Sequence, residues 1–257
     1  MRYSCLAPGK RLRPALCLAS ARAVDGDDEA VLPAACAIEM VHAFSLIHDD
    51  LPALDDDDFR RGRPTCHKVF GEAVAILAGD ALFALAFETI AQVESTAERR
   101  LSALAELASQ SGTKGVVGGE VLDILAEGTD SSEAQIRRIH ELKTASLMAG
   151  SCAIGATLGG GEMRDVELLR EFGREIGLAF QIVDDLLDET AASEVIGKPA
   201  GSDRRHGKAT YPRLYGVEGA REEAERHTRK ALESLGMLAG DTSSLRDLAD
   251  FAVRRDR

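Results

Sequence analysis

Tryptophan is absent from this 257-residue chain, and all aromatic residues together make up 4% of it. Ala and Leu dominate the apolar set instead, which favours helix over sheet. An excess of positive charge is also missing. The formal net charge of −12 argues against general nucleic-acid or anionic-membrane binding, and it means that a polyanionic substrate needs metal ions or a local basic cluster. Paired cysteine spacing is lacking: Cys5, Cys17, Cys36, Cys66 and Cys152 are scattered, odd in number and without CxxC. That is the pattern of reduced thiols in a cytoplasmic protein. No unbroken apolar run approaches the ~18 residues of a membrane span, and Met1-Arg2-Tyr3 does not open a signal peptide. A soluble, cytoplasmic protein without stable membrane insertion is expected. HExxH, nucleophile-elbow and zinc spacings do not occur. GSDRRHGKA (201–209) fails as a phosphate loop, because its glycines are one residue too far apart and Ala209 stands where Ser or Thr is needed. An EF-hand begun at Asp55 would put Arg60 at the required glycine.

What the chain does contain is helical periodicity. Pro14 suits the first turn of a helix over 15–24, and a second helix with Pro33 in its early turns runs into Asp49-Asp50. Apolar spacing returns through Val74, Leu77, Ala78, Ala81, Leu82, Leu85 and Ala86. Further helices are predicted over 97–110 and 116–126. Ser132 with Gln135 forms a capping-box pattern that opens a long helix toward Leu158. Gly159-Gly160-Gly161 breaks it, and another helix covers 162–188. Residues 191–210 read as a Gly/Lys/Asp-rich loop, followed by helices over 217–235 and 242–254. No β-alternation persists. The fold class predicted is all-α, a bundle of around eight or more helices.

Two acidic groups stand out. HDDLPALDDDDFRRGR (48–63) begins at the end of an apolar helical segment, and Pro52 disfavours further helix. A like-charged pair at ~4 Å costs about 1 kcal/mol in water and about 4 at an effective dielectric of 20. A solvated loop could tolerate that, but the acids follow an apolar helix and two arginines follow the acids. Carboxylate-held hard cations beside guanidinium groups are what a di- or triphosphate requires. The second group is FQIVDDLLD: Gln181, Asp184, Asp185 and Asp188 stand at i, i+3, i+4 and i+7 on one face of an otherwise apolar helix. No basic residues at i±4 balance them, so solvation or cations must. His42, Ser45 and Asp49 likewise share a helix face.

Basic residues form a third set. Lys10 and Arg13 stand at i, i+3, with Arg60-Arg61, Lys143-Thr144, Lys198 and Lys208 further on. Lys143 interrupts a small-residue, largely apolar stretch. Singly, each is more often a solvated side chain; the combination carries the weight.

Together these residues resemble the trans-isoprenyl diphosphate synthases. Asp49-Asp50-x4-Asp55 with Arg60-Arg61, and Asp184-Asp185-x2-Asp188, look like that family's paired aspartate-rich motifs. GKRLRP, His42, KT (143–144), FQ (180–181) and GKPAGSD…GKATYP (197–212) match its other signatures in order over nearly the whole chain. The resemblance implies a single-domain antiparallel bundle around a central cavity, Mg²⁺ as cofactor at three ions per site, and a homodimeric state of the family's kind. It implies that Asp49 and Asp55 hold two ions and Asp184 the third, with Asp50, Asp185 and Asp188 in support. Arg60, Lys143, Thr144, Gln181, Lys198 and Lys208 would contact an allylic diphosphate, with Phe180 beside it. Lys10, Arg13, His42 and Arg61 would hold isopentenyl diphosphate.

Product length is expected from Phe44 and Ser45, five and four residues before Asp49 and about one turn (~5.4 Å) deeper. A bulky Phe44 implies a fifteen-carbon farnesyl product, with the twenty-carbon geranylgeranyl product as the alternative. Pro8 stands where the family usually has Gly, and only eight residues precede Gly9, where relatives carry additional helices. A misassigned start or a truncation is the expectation there. Glu120 replaces a common Gln. Rival readings are a class I terpene cyclase, disfavoured by Asp184-Asp185-Asp188 and the isopentenyl-binding basic set, and an inactive or regulatory synthase subunit, disfavoured by two intact acid motifs.

Overall fold

A computed structural model describes residues 1–129, 131–190 and 210–254. Helices α1 (Arg2–Cys5), α2 (Leu12–Arg22) and α3 (Asp28–Asp49) lead to a two-stranded hairpin, β1 (Phe59–Arg60) and β2 (Arg63–Pro64). After it come α4 (Cys66–Phe70), α5 (Glu72–Ala91), α6 (Ala97–Ser111), α7 (Val116–Ala126) and α8 (Glu133–His140). A π-helical turn (Glu141–Ala145) joins α8 to α9 (Ser146–Gly159); α10 (Met163–Thr190), α11 (Tyr211–Leu235) and α12 (Ser243–Val253) complete the bundle.

The expected all-α architecture is present, and its boundaries have local causes. Asp27 caps α3 by accepting from the Glu29 N–H at 3.2 Å. Ser132 and Gln135 form the expected capping box on α8, satisfying two backbone donors that a helix start leaves orphaned. Gly216, at φ 71°, kinks α11 near its start. The hairpin, α1 and α4 have no counterpart in the periodicity because each is too short to show one. The hairpin turns on Arg61 and Gly62, both at positive φ (54° and 74°), as a tight two-residue turn between twisted strands requires.

Helix α9 is the axis of the bundle. Nearly every residue on it is buried, and it packs against α2, α3, α6 and α10. Its small side chains allow that close approach on all sides. One apolar cluster fills the space toward α3, α5 and α6, including Ile38, Ile90, Leu107 and Ile154. Another fills the side toward α10, α11 and α12, including Leu16, Phe172, Ile176 and Leu235. Each fully buried large side chain contributes about 1.5–3 kcal/mol.

By length and composition α3 and α5 are both apolar enough to cross a membrane, although no unbroken run suggests it. Scattered residues such as Glu39, His42 and Asp80 interrupt the runs without making the helices polar overall. Here α3 packs in the bundle against α2, α5 and α9.

Candidate active site

The end of α3, the start of α2, α7, the π-turn and the second half of α10 enclose a cavity of about 710 Å³, within the usual range for a small-molecule site. Both acid groups reach it. Asp49 and Asp55 line one part, and Asp184, Asp185 and Asp188 line another. The chain folds back after Pro52 so that the Asp55 N–H donates to the Asp49 carbonyl at 2.9 Å, which stacks the two acids. Lys10, Arg13, His42, Ser45, Arg60, Arg61, Lys143, Thr144, Phe180 and Gln181 complete the expected set in the same lining. Lys198 and Lys208 lie outside the described residues.

Two expected residues are placed differently. Asp50 is buried and faces a smaller neighbouring pocket shared with Tyr3 and Pro64, where it accepts from Arg60 Nε at 2.5 Å. Its role here is to hold Arg60. Phe44 is not among the cavity-lining residues. It packs on α5, with its ring 4.8 Å from that of Phe83, which in turn meets Phe87 at 5.0 Å. Helical rotation explains this: at 3.6 residues per turn, Phe44 points about 140° away from Asp49 and Ser45 only about 40°. Ser45 reaches the cavity.

Polar contacts fix the opposite wall. Thr144 Oγ1 donates to Gln181 Oε1 at 2.7 Å, and Gln181 Nε2 donates to Asp185 Oδ1 at 2.9 Å. Asp185 Oδ2 also accepts from the Tyr211 N–H at 3.1 Å, so this acid ties the start of α11 to α10. Lys143 lies 2.6 Å from Asp123 and 2.7 Å from Glu120. Burial works against its charge, yet Asp123, Glu120 and Asp49 outweigh burial and hold its pKa above the ordinary lysine value. Asp123 and His140 are cavity residues that sequence reasoning missed. Asp123 was legible in principle, since GGEVLD sets Glu120 and Asp123 at i, i+3. Gly119 makes the contact possible: a Cβ there would stand 2.2 Å from the Lys143 backbone nitrogen.

Among the described residues of the lining, acidic side chains outnumber basic ones. Burial, then the charge of Glu120, pushes Asp49 up to about 7 against the pull of Lys143 and Arg60. Burial likewise raises Asp50 to about 6, with Arg60 opposing. Burial and the cations Arg13, Arg61, Arg60 and Arg11 hold His42 well below the usual imidazole range, so His42 is neutral beside Arg13, whose Nη1 is 3.5 Å away. Arg11, in the left-handed region at the N-cap of α2, pairs with Glu39. Clustered carboxylates, which offer oxygen ligands, fit hard divalent cations such as Mg²⁺.

A polyprenyl synthetase family model matches residues 1–243. A heterodimeric geranylgeranyl pyrophosphate synthase large subunit of Arabidopsis thaliana is 49% identical over 261 residues, covering 100% of this chain and 69% of that protein. A farnesyl/geranylfarnesyl diphosphate synthase structure from Zymomonas mobilis superposes with a TM-score of 0.88 at 39% identity, over 98% of this chain and 86% of that one. A geranyltransferase from Helicobacter pylori, complexed with magnesium and isoprenyl diphosphate, gives 0.87 at 32% identity over 98% and 85%. The chain belongs to the polyprenyl synthetase family and is a prenyltransferase.

Proposed function

We propose that the chain extends allylic diphosphates with isopentenyl diphosphate as far as the twenty-carbon geranylgeranyl product. The observation that carries the condensation is the meeting of Asp49, Asp55 and Asp184 in one basic-flanked cavity. These three carboxylates would hold Mg²⁺, three ions per site, with Asp188 beside Asp184 and Asp50 and Asp185 acting through Arg60 and Gln181. When bound, Mg²⁺ supplies charge stabilisation for the diphosphate leaving group. Lys143 and Arg60 contribute to the same stabilisation from opposite walls, as fixed charges that need no reorganisation during reaction. Lys198 and Lys208, where they reach the site, join this clamp.

Lys10, Arg13 and Arg61 surround the neutral His42 and form a second cationic patch suited to the isopentenyl diphosphate. The allylic C–O bond breaks, the isopentenyl double bond attacks the allylic carbon, and the proton lost passes to the departing diphosphate. Leu46, Val116, Ile139, Leu147 and Phe180 give the lining its apolar part, which keeps water from the cation. The hydroxyl of Thr144 and the amide of Gln181, fixed by their mutual hydrogen bond, present oxygen dipoles toward it.

The fifteen-carbon product expected from Phe44 gives way to the alternative. The 49%-identical relative bears a geranylgeranyl name, and Phe44 is turned onto α5 rather than into the cavity. The reading is tested by incubating the protein with geranyl diphosphate, isopentenyl diphosphate and Mg²⁺ and sizing the products. A twenty-carbon chain is expected. Arrest at fifteen carbons restores the farnesyl reading, and no elongation by folded protein removes the synthase reading.

A homodimer fits as well. Val117, Val121 and Leu125 expose one apolar stripe on α7, and Leu77 and Leu101 are exposed on α5 and α6. Pairing with a different subunit is favoured instead by the name of that relative, and sedimentation of the purified chain alone separates the two. The five cysteines are free, which suits a reducing cytoplasm.

A further inference from the structure

Beside the turn that carries Asp55, one carboxylate oxygen of Asp56, one of Asp58 and a ring nitrogen of His67 all lie within 4.8 Å of one another. None of these three residues lines the cavity of the proposed reaction. The geometry points to a separate site there for a first-row transition-metal ion of the Zn²⁺ class. Two exposed aspartates would not by themselves define a site; the histidine does. His67 is 6% exposed, and its Nε2 is buried without a hydrogen-bond partner. Its Nδ1 lies 3.1 Å from Thr65 Oγ1, and that hydroxyl donates to the Asp58 carbonyl at 3.4 Å.

We assign the hydroxyl hydrogen to the carbonyl, which puts the hydrogen between Thr65 and His67 on Nδ1. Nε2 is then left as a bare lone pair. A buried acceptor without a donor is unfavourable, and a cation beside Asp56 and Asp58 resolves it. A histidine whose second nitrogen donates to a protein oxygen is the arrangement that orients metal-bound imidazoles. An imidazole nitrogen selects Zn²⁺ or Co²⁺ over Mg²⁺, and three protein ligands plus water complete a four-coordinate zinc.

Lys68 is the competitor. Its Nζ stands 2.6 Å from Asp58 Oδ1, with both side chains substantially exposed, and such a pair is weak and readily exchanged. The exposed aspartates can draw inward to close the coordination distance. An ion there would fasten the turn 55–60 to the start of α4 and so steady Asp55 and Arg60 from behind.

Equilibrium dialysis of the full chain against Zn²⁺ in excess Mg²⁺, with bound zinc read by atomic emission, tests the site. One zinc per chain is expected for the wild type and for Asp184→Asn, which alters only the cavity. Asp56→Asn and His67→Asn should each weaken zinc by about tenfold or more. Co²⁺ in place of Zn²⁺ should give visible d–d bands that both variants lose. Equal zinc in the wild type and Asp56→Asn overturns the site, and so does zinc lost only with Asp184→Asn. Should circular dichroism show His67→Asn unfolded, the exposed Asp56 variant decides alone. The readout is metal bound, not turnover, so failure of the condensation assay leaves this result standing or falling by itself.

Discussion

Helix α10 carries buried acids into two different environments. At its middle, Glu175 is buried between α10 and α11, where its Oε2 lies 2.6 Å from His227 Nδ1 and its Oε1 accepts from Arg174 Nη2 at 2.5 Å. Burial alone would raise its pKa, but the His227 hydrogen bond and charge, with Arg174, outweigh burial and lower it. Ten residues on, the same helix brings Asp185 and Asp188 to the cavity that Asp49, pushed up to about 7, also lines. Acids paired inside the bundle are framework; acids gathered at a cavity are an invitation to cations. Placement of the counter-charges, not the residue type, separates the two roles.

The strongest way to break the comparison is Asp184→Asn. It should lower kcat/KM for condensation by on the order of 10³-fold, the scale of losing one electrostatic stabiliser. Melting in chelator should stay near wild type, because the amide keeps the size of the side chain. Glu175→Gln should do the reverse. Breaking a buried pair costs about 3–5 kcal/mol, to be read from urea unfolding, while turnover by the folded fraction stays near wild type.

Between them stands Gly119→Ala. The added Cβ meets the Lys143 backbone, so overpacking of about 1–3 kcal/mol should appear in unfolding together with a fall in kcat. A stability loss without a kcat loss would mean that Lys143 does not depend on this contact.

The smallest effects concern pH. Asp49 and Asp50 have folded-state values near 7 and 6, above the ordinary 3.8. Between those limits the folded chain binds more protons than the unfolded one. Without Mg²⁺, their contribution to stability is therefore lost as pH rises through that window. Glu175 has the opposite sign: its contribution is present above its ordinary value and disappears as pH falls through its lowered one. Thermal melts in chelator from about pH 2 to about 8 should show both limbs. Glu120→Gln removes the largest charge raising Asp49, so Mg²⁺ affinity should reach its half-maximum at lower pH, as calorimetric titration would show. An unmoved midpoint would mean that Glu120 does not set it.

Much of this was readable beforehand, for reasons that differ by residue. Asp184, Asp185 and Asp188 were legible because helical spacing alone puts them on one face. The helices over 97–111, 116–126 and 163–190 were legible because their apolar stripes are long and their ends are capped or broken by glycine. For Phe44, distance along the helix says little, because its rotation about the axis sets it against Phe83 on α5. Asp123 and His140 became site residues through packing of α7 and α8 on the π-turn, which no local pattern encodes. Asp50 showed the same limit, since only the hairpin's return path brings Arg60 to it.

The wide turn at Glu141–Ala145 has an evolutionary consequence. Such a segment accommodates one surplus residue inside a continuous helix, so the phase of everything before it is offset from everything after. Removing a single codon there would let the helix regularise while both flanking segments kept their packing, yet Lys143 and Thr144 could no longer face Asp123 and Gln181 together. A lineage could thus switch this enzyme off by a three-nucleotide loss and keep a well-folded, binding-competent shell.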